Sequence, residues 1–254
     1  MVTMSVYSSL GAQDAALSVP EWQAAAWCID HTLLRPEASR AQVVQICDEA
    51  AQYGFACVMI NPTWVSFCAG RLRDTPVKTG VVIGFPLGAS VTTAKRLEAE
   101  ECLRLGADEL DMVMNIGALK SGDHALVETD IRVLAETCHE AGAILKVILE
   151  CALLTNKEKE TACQLALAAG ADFVKTSTGF STGGATLEDV ALMRRVVGDR
   201  CRVKAAGGVR NAADFAAMLK AGADRIGTSA SVNIMRELGA PGASGATVPP
   251  RSAY

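Results

Sequence analysis

Three lysines lie within apolar, strand-like runs of this 254-residue chain, where an ammonium group is poorly solvated. They are Lys146 in residues 144–149, Lys175 in residues 171–177 and Lys204 in residues 202–206. If these runs form neighbouring strands of one sheet, Lys175 lies between two cations. Each cation at roughly 6 Å would lower the pKa of the Lys175 amine by about two units, at an effective dielectric constant near 20. Such an amine is a nucleophile that forms imines with carbonyl compounds.

Two aspartates lie in similar runs and supply the second requirement of imine chemistry, a group that moves protons. Asp111 is the better candidate for this role, and Asp30 is expected to support it. One ionisable residue in such a run is more often part of an interior salt bridge than of a reactive site, but five of them converging favour a reactive site. Periodicity does not rank the three lysines. The middle position favours Lys175 as the nucleophile, with Lys146 as a supporting charge.

Small residues after later strand-like runs indicate a phosphate site. Backbone N–H groups at helix N-termini bind anions, and (β/α)8 barrels often place a phosphate in the loops after strands seven and eight. Any one of these glycines is equally explained by a tight turn, whereas the set together with one arginine favours phosphate binding. The candidate residues are Gly179, Gly207, Gly208, Arg210, Gly227 and Ser229.

A recurring phrase predicts the architecture that positions these residues. Glycines 54, 106, 142, 170 and 222 each end a helical pattern, and a β-rich run follows within two or three residues. Intervening runs complete eight β-then-α units, which favour an α/β fold of the closed (β/α)8, or TIM barrel, type. A doubly wound sheet is the alternative, but no nucleotide-binding fingerprint opens the chain. Residues 39–42 and 155–158 have the spacing of capping boxes at helix starts.

Composition narrows the classes of function. The net charge of −4 with interspersed signs gives no basic stripe and argues against nucleic-acid binding. No apolar stretch approaches the roughly 20 residues that span a bilayer, and no secretory signal precedes the first strand, so a cytoplasmic protein without a membrane partner is expected. Nine cysteines without a Cys-x-x-Cys pair, and histidines without ligand spacing, predict buried thiols and no metal site. The predicted organisation is an N-terminal extension (1–20), one barrel domain (21–238) and a C-terminal tail (239–254).

Five segments resemble deoxyribose-phosphate aldolase, a family of class I aldolases, which form Schiff bases. The segments are residues 29–34, 106–111, 145–150, 170–180 and 204–210, and they follow the family's order over about residues 27–236. The resemblance implies reversible cleavage of 2-deoxy-D-ribose 5-phosphate to D-glyceraldehyde 3-phosphate and acetaldehyde, without any cofactor. It also implies a role in deoxyribonucleotide catabolism and assembly as a homodimer. By position, Lys175 would form the Schiff base, Lys204 would lower its pKa and Asp111 would relay protons.

The chain end and two departures also bear on the resemblance. Tyr254 matches the family's terminal tyrosine, which is thought to enter the site and assist proton transfer, although a frayed end without function is the plain alternative. Ala205 stands where many members have proline, and a looser turn before the phosphate loop is expected from this change. Phe180 stands where some members have lysine, and this change removes a possible phosphate contact.

Three other functions fit the residues. The first is a different Schiff-base barrel aldolase or a transaldolase that acts on another phosphorylated sugar. The second is a phosphosugar isomerase in which Asp111 is the base and the lysines only neutralise charge. The third is a barrel that binds a sugar phosphate without turning it over.

Overall fold

Eight parallel strands close into a barrel in sequence order, as the repeat predicts. The structure is a computed structural model that describes residues 22–241; the extension 1–20, Tyr254 and the tail from residue 242 onward lie outside the described residues. The strands are β1 (Ile29–Leu33), β2 (Cys57–Ile60), β3 (Lys78–Ile83), β4 (Glu109–Val113), β5 (Ile144–Ile148), β6 (Phe173–Lys175), β7 (Arg202–Ala206) and β8 (Arg225–Thr228). The predicted (β/α)8 architecture is therefore confirmed.

Helices surround the barrel and connect its strands. A short α1 (Trp22–Ala26) precedes β1, and each strand is followed by at least one helix. These are α2 (Arg40–Tyr53), α3 (Val65–Leu72), α4 (Thr92–Arg104), α5 (Ile116–Lys120), α6 (His124–Glu140), α7 (Asn156–Ala168), α8 (Leu187–Val197), α9 (Ala212–Lys220) and α10 (Ser231–Glu237). None of the helices in residues 22–241 is long and apolar enough to cross a membrane.

Both predicted capping boxes are present. The Ser39 side chain accepts a hydrogen bond from the backbone N–H of Gln42, whose side chain bonds back to the backbone of Ser39. Thr155 and Glu158 form the same reciprocal pair at the start of α7. These contacts satisfy backbone donors that the first helical turn leaves unpaired. The side of α2 that faces the barrel is buried, as its periodicity predicts, through Val43, Ile46, Cys47 and Ala50.

An aspartate in three copies of the recurring phrase ties neighbouring strands together at their amino ends. The carboxylate of Asp108 accepts the backbone N–H of Thr79 at 2.9 Å. Asp172 and Asp224 make the same bond to Leu145 and Val203, at 2.8 and 2.7 Å. Each of these carboxylates therefore holds the strand that precedes its own in the barrel, and part of the repeat is a device that fixes strand register.

The strand register brings the ionisable residues to one interior surface. Asp111 pairs with Lys146 across β4 and β5, and Lys175 pairs with Lys204 across β6 and β7. Because side chains alternate along a strand, all four point to the same side of the sheet. A small apolar cluster of Leu34, Cys57, Met59 and Val82, with Phe85 packed against it, involves β2 and β3. The interior is thus divided into an apolar part and a charged part.

Two expectations about the chain need adjustment. Gly227 lies inside β8 rather than in the loop after it, and the last helix begins at Ser231 rather than at Ser229. All nine cysteines are free and buried, in agreement with the prediction of buried thiols.

Candidate active site

Asp111 on β4 is the centre of the interior site. Its Oδ2 accepts hydrogen bonds from Lys175 at 2.8 Å and from Lys204 at 2.7 Å. Its Oδ1 accepts one from Lys146 at 2.9 Å. All four side chains are almost completely inaccessible to solvent. One carboxylate therefore connects all three of the lysines that the sequence singles out.

Asp30 on β1 extends this network. Lys204 also donates a hydrogen bond to its Oδ2, and Lys146 lies 3.7 Å from the same oxygen. Its Oδ1 accepts a hydrogen bond from Arg225 at 2.6 Å. Burial would raise the pKa of Asp30, but the cationic Lys204, Arg225 and Lys146 outweigh this effect and hold it below its ordinary value. Asp30 is therefore a permanent anion that keeps Lys204 in place.

Lys175 differs from the other two lysines in its number of partners. Within residues 22–241 its amine pairs with Asp111 alone, whereas Lys204 pairs with two carboxylates and Lys146 with three. The pKa of Lys175 is lowered to about 8. Burial of the amine is the largest cause, Asp111 opposes it, and Lys204 and Lys146 add to the lowering. The sequence predicted a low pKa correctly but attributed it to the neighbouring cations, which are secondary to burial.

Lys146 and Asp111 are held in their charged forms. Burial would lower the pKa of Lys146, but Asp111, Glu109 and Asp30 outweigh it and raise the pKa above its ordinary value. At Asp111 burial would raise the pKa, but the three lysines outweigh it and hold the pKa well below its usual range. The pKa of the Lys175 amine is therefore lowered, whereas that of Lys146 is raised.

Sequence reasoning missed two charged members of the interior, Glu109 and Arg225. Glu109 lies 2.6 Å from Lys146 and 3.4 Å from Arg225. The signal that reveals them is the alternation of a strand: Glu109 is two residues before Asp111, and Arg225 two residues before Gly227. Residues at this spacing share a face, so both belong to the interior surface.

Three potential metal ligands meet in this interior, but their surroundings do not fit a metal ion. Ligand atoms of Asp30, Cys57 and Glu109 lie within 4.8 Å of one another. Lys146 and Arg225 already lie against both carboxylates. Burial also raises the pKa of the Cys57 thiol well above its ordinary value, which disfavours the thiolate that binds metals. The cluster is a set of ion pairs.

The loops after β6 and β7 form a glycine-rich surface at the carboxyl end of the barrel. Gly179, Gly207 and Gly208 all have positive φ, at 84, 86 and 89°. A Cβ on Gly207 would lie 3.7 Å from the Cα of Gly179 and 3.0 Å from that of Gly184, so the two loops touch. Space is open beside Gly208, and Arg210 is exposed. These four candidates are thus brought to one end of the barrel.

Gly227 and Ser229 do not lie together in the loop that the sequence predicts after β8, because Gly227 is inside the strand and Ser229 follows it. A Cβ on Gly227 would lie 3.1 Å from the Cε of Lys204, so this glycine leaves room for a lysine side chain in the barrel interior. This packing explains the glycine without a phosphate, and its part in phosphate binding stays a prediction. Ser229 follows β8 and is exposed, outside the N-terminus of α10.

Glu150, just after β5, is a further residue that the sequence did not reveal. It is the one non-glycine residue with positive φ in residues 22–241, at 59°. Its buried Oε2 accepts hydrogen bonds from both the hydroxyl and the backbone N–H of Thr178. The backbone N–H of the next residue, Cys151, donates to Thr176 at 2.8 Å. This strained turn therefore holds the segment that connects Lys175 to Gly179.

Fold and site together define a (β/α)8 barrel enzyme with a lysine of lowered pKa hydrogen-bonded to a buried aspartate. The sequence profile of the DeoC/LacD family aldolases matches residues 24–242, and the chain belongs to this family.

Individual relatives agree with this assignment. The chain is 56% identical over 208 residues to a deoxyribose-phosphate aldolase of Streptococcus sanguinis, covering 82% of this chain and 94% of the relative. A Geobacillus deoxyribose-phosphate aldolase is also 56% identical, over 82% of this chain and 92% of its own. Among solved structures, a putative deoxyribose-phosphate aldolase from Coccidioides immitis superposes with a TM-score of 0.84 at 42% identity, covering 91% of this chain and 92% of that one. A tetrameric deoxyribose phosphate aldolase from Aeropyrum pernix gives 0.79 at 35% identity, covering 84% and 90%.

Proposed function

We propose that this protein is a deoxyribose-phosphate aldolase in which Lys175 forms the Schiff base. The reaction is the reversible cleavage of 2-deoxy-D-ribose 5-phosphate to D-glyceraldehyde 3-phosphate and acetaldehyde. The observation that carries the assignment of the lysine is the ion-pair count: Lys175 has one carboxylate partner in the described residues, and its neighbours have two and three. An amine with fewer anionic partners is deprotonated more readily.

The reaction begins at the Lys175 nitrogen. In its neutral form the amine attacks the aldehyde carbon C1 of the substrate, and loss of water gives an iminium ion. A base takes the proton of the C3 hydroxyl, the C2–C3 bond breaks, and its electron pair moves to C2 and the iminium to form an enamine. D-glyceraldehyde 3-phosphate leaves as the aldehyde. Protonation of the enamine at C2 and hydrolysis of the imine then release acetaldehyde and restore Lys175.

Asp111 is suited to move protons in these steps. A single oxygen, Oδ2, accepts hydrogen bonds from both Lys175 and Lys204. A proton lost by one nitrogen therefore has a carboxylate relay to the other within hydrogen-bond reach. Lys204 keeps a positive charge beside the reacting amine, and Asp30 holds Lys204 in position. Tyr254, on the C-terminal tail, is proposed to assist proton transfer in the site. Measuring the activity of Tyr254→Phe tests this role.

The substrate phosphate is proposed to bind at the carboxyl end of the barrel. Backbone N–H groups of Gly179, Gly207 and Gly208 and the side chain of Arg210 would supply its contacts, with Ser229 at the edge. No organic cofactor or metal enters this scheme, because the imine itself accepts the electron pair. A lower affinity for substrate in Arg210→Ala, with unchanged turnover, would support this placement.

An isomerase reaction fits this geometry less well. In such an isomerase the three lysines hydrogen-bonded to Asp111 would only neutralise charge. That role makes no use of an amine such as Lys175, whose pKa is lowered to about 8. The ammonium groups suit imine chemistry in which positive charge is kept beside a neutral amine.

Assembly is proposed to be a homodimer. Large apolar side chains are exposed on the segment between β3 and α4, including Leu87 at 74% and Val91 at 72% of full exposure, and exposed apolar surface favours association. Light scattering on the purified protein measures the mass directly, and a monomeric or tetrameric mass would contradict this assembly.

Imine trapping tests the proposed function. The protein is incubated with acetaldehyde and borohydride, digested, and analysed by mass spectrometry for the reduced adduct. We expect the adduct on Lys175 alone and none in Lys175→Ala. An adduct on Lys146 or Lys204 would overturn the assignment of the nucleophile, and the absence of any adduct would overturn the Schiff-base mechanism. Release of acetaldehyde from 2-deoxy-D-ribose 5-phosphate distinguishes this reaction from that of another barrel aldolase or transaldolase.

A further inference from the structure

The charged interior continues from the site toward the amino ends of the strands. Seven ionisable side chains form this interior charge cluster: Asp30, Glu109, Asp111, Lys146, Lys175, Lys204 and Arg225. Arg225 begins β8 and Glu109 begins β4, so both lie at the end of the barrel opposite the glycine-rich loops. The mechanism proposed above uses neither of them.

Two routes of direct contacts connect this end of the barrel to Lys175. Along the first, Arg225 donates to Asp30, Asp30 pairs with Lys204, and Lys204 shares Asp111 with Lys175. Along the second, Glu109 contacts Lys146 at 2.6 Å, and Lys146 donates to Asp111 at 2.9 Å. Arg225 also lies 3.4 Å from Glu109, so the two routes are connected at their starting residues. A change of charge at this end therefore reaches Lys175 through buried ion pairs rather than through water.

The charges of the cluster balance only when Lys175 is neutral. Its three carboxylates, on Asp30, Glu109 and Asp111, match the three cations other than Lys175, which are Lys146, Lys204 and Arg225. Protonation of Lys175 adds an unmatched positive charge to an interior from which water is excluded. Burying an unmatched charge is costly, so a balanced set favours the neutral amine.

We infer that Arg225 and Glu109 are positioning residues that set the charge state of Lys175 from the opposite end of the barrel. This inference rests on the proposed function, in which neutral Lys175 attacks the substrate. Arg225 supplies the third cation that the balance requires, and Glu109 supplies the third anion. Their effects on Lys175 are therefore opposite in sign.

Other groups of the barrel strands bear on this balance. The Cys57 thiol is neutral because burial raises its pKa well above its ordinary value. Lys78 and Arg202 are exposed, so solvent screens their charges, and Lys78 also pairs with Asp108. The ring of Phe173 lies beneath Arg202, at 4.1 Å, and Arg225, at 5.7 Å. Arg202 is thus a matched control for Arg225, because it is a cation on the same ring that pairs with no carboxylate of residues 22–241.

The inference predicts opposite shifts in the pH dependence of imine formation. Arg225→Met removes a cation, so the Lys175 ammonium becomes more stable and the rise in rate with pH moves to higher pH. Glu109→Gln removes an anion and keeps an oxygen acceptor, so the rise moves to lower pH. Each shift is expected to be about one pH unit, the effect of a charge at roughly 10 Å with an effective dielectric constant near 20.

The experiment measures the rate of borohydride-trapped adduct formation from acetaldehyde on Lys175 as a function of pH. The variants are Arg225→Met, Glu109→Gln, the charge-preserving Arg225→Lys and the control Arg202→Met. We expect the first two to shift in opposite directions and the last two to match the unsubstituted protein. Circular dichroism checks that each variant is folded; if Arg225→Met does not fold, the downward shift of Glu109→Gln decides the question.

The inference would be overturned by shifts of the same sign, by no shift in Glu109→Gln, or by a shift in Arg202→Met as large as that in Arg225→Met. Loss of rate without a change in pH dependence would also overturn it, because that is the mark of a structural role. Failure of the proposed function is distinguishable from all of these. In that case the unsubstituted protein itself forms no adduct on Lys175.

Discussion

Replacement of Lys204 by methionine tests how the site keeps Lys175 reactive. Contacts of 2.8 and 2.7 Å to one oxygen of Asp111 keep the nitrogens of Lys175 and Lys204 within about 5.5 Å of each other. At an effective dielectric constant near 20, two unit charges at about 5 Å repel by roughly 3 kcal/mol, or about two pKa units. Lys204→Met removes this repulsion and also frees Asp111 to interact more strongly with Lys175. Both effects stabilise the Lys175 ammonium.

The expected result is a pH-dependent loss of imine formation. The pKa of Lys175, about 8 in the unsubstituted protein, should rise to roughly 10 in Lys204→Met. Near pH 7.5 the neutral fraction of the amine then falls by about 50- to 100-fold, and the rate of adduct formation with acetaldehyde falls with it. The loss shrinks as the pH approaches 10, because both proteins then carry a neutral amine.

The assay is the rate of borohydride-trapped adduct on Lys175, followed by intact-mass spectrometry from about pH 6.5 to about pH 10. Lys204→Arg is the control, because it keeps a cation at the same position. A loss of equal size at every pH would refute the electrostatic reasoning and show that Lys204 acts mainly on a later step. A rate that stays unchanged in Lys204→Met would refute the role of Lys204 altogether.

Three further substitutions test other parts of the structure. Gly227→Ala should slow adduct formation severalfold, because the new Cβ would lie 3.1 Å from the Cε of Lys204 and displace it; kinetics at fixed pH measure this. Lys95→Met should lower the free energy of unfolding by about 3 to 5 kcal/mol in a urea titration, because it leaves the buried carboxylate of Asp130 without its cation. Lys175→Met should increase the free energy of unfolding near neutral pH by about 3 kcal/mol, because the folded protein binds the Lys175 proton less tightly than the unfolded chain does. This gain should disappear as the pH rises from about 8, where the folded amine loses its proton, to 10.5, where the unfolded chain loses it too.

Each of these predictions has a control or an outcome that would contradict it. Gly70→Ala, in α3 with open space around its position, should leave kinetics unchanged and stabilise the protein slightly. Equal losses of rate in both glycine variants would contradict the steric role of Gly227. A pH-independent gain in Lys175→Met would show that the gain comes from packing rather than from the charge. A change in stability of less than 1 kcal/mol in Lys95→Met would show that Asp130 finds another partner.

The sequence predicted the barrel and the central residues because both depend on local patterns. Glycine at a helix end followed by a β-rich run marks each unit, and a lysine in an apolar strand is conspicuous wherever it occurs. Gly227 was misplaced because a glycine after a strand-like run resembles a turn. Its actual reason is the volume of the Lys204 side chain on the neighbouring strand, which only the packed barrel reveals.

Tertiary contacts also explain the remaining differences. The left-handed backbone of Glu150 is stabilised by bonds to the segment that follows β6, about 28 residues later in the chain, and no local signal marks a glutamate for this conformation. The dominance of burial in the pKa of Lys175 likewise depends on how completely the closed barrel excludes water. Glu109 and Arg225 were missed although strand alternation puts them on the interior face, and the contacts that join them to the site depend on the stagger of the strands.

The reactive amine has a cost in stability, and the rest of the interior limits it. A lysine with a pKa of about 8 in the folded protein and 10.5 as its ordinary value binds its proton less tightly when folded, so folding stability falls as the pH drops from 10.5 to about 8. Every other cation of the interior cluster lies against two or three carboxylates, whereas in residues 22–241 Lys175 has Asp111 alone, so the cost is confined to one residue. Removing a partner elsewhere in the cluster would spread that cost to a group that takes no part in the reaction. A site built this way loses stability at one nitrogen, and that nitrogen is the one that must be free to attack.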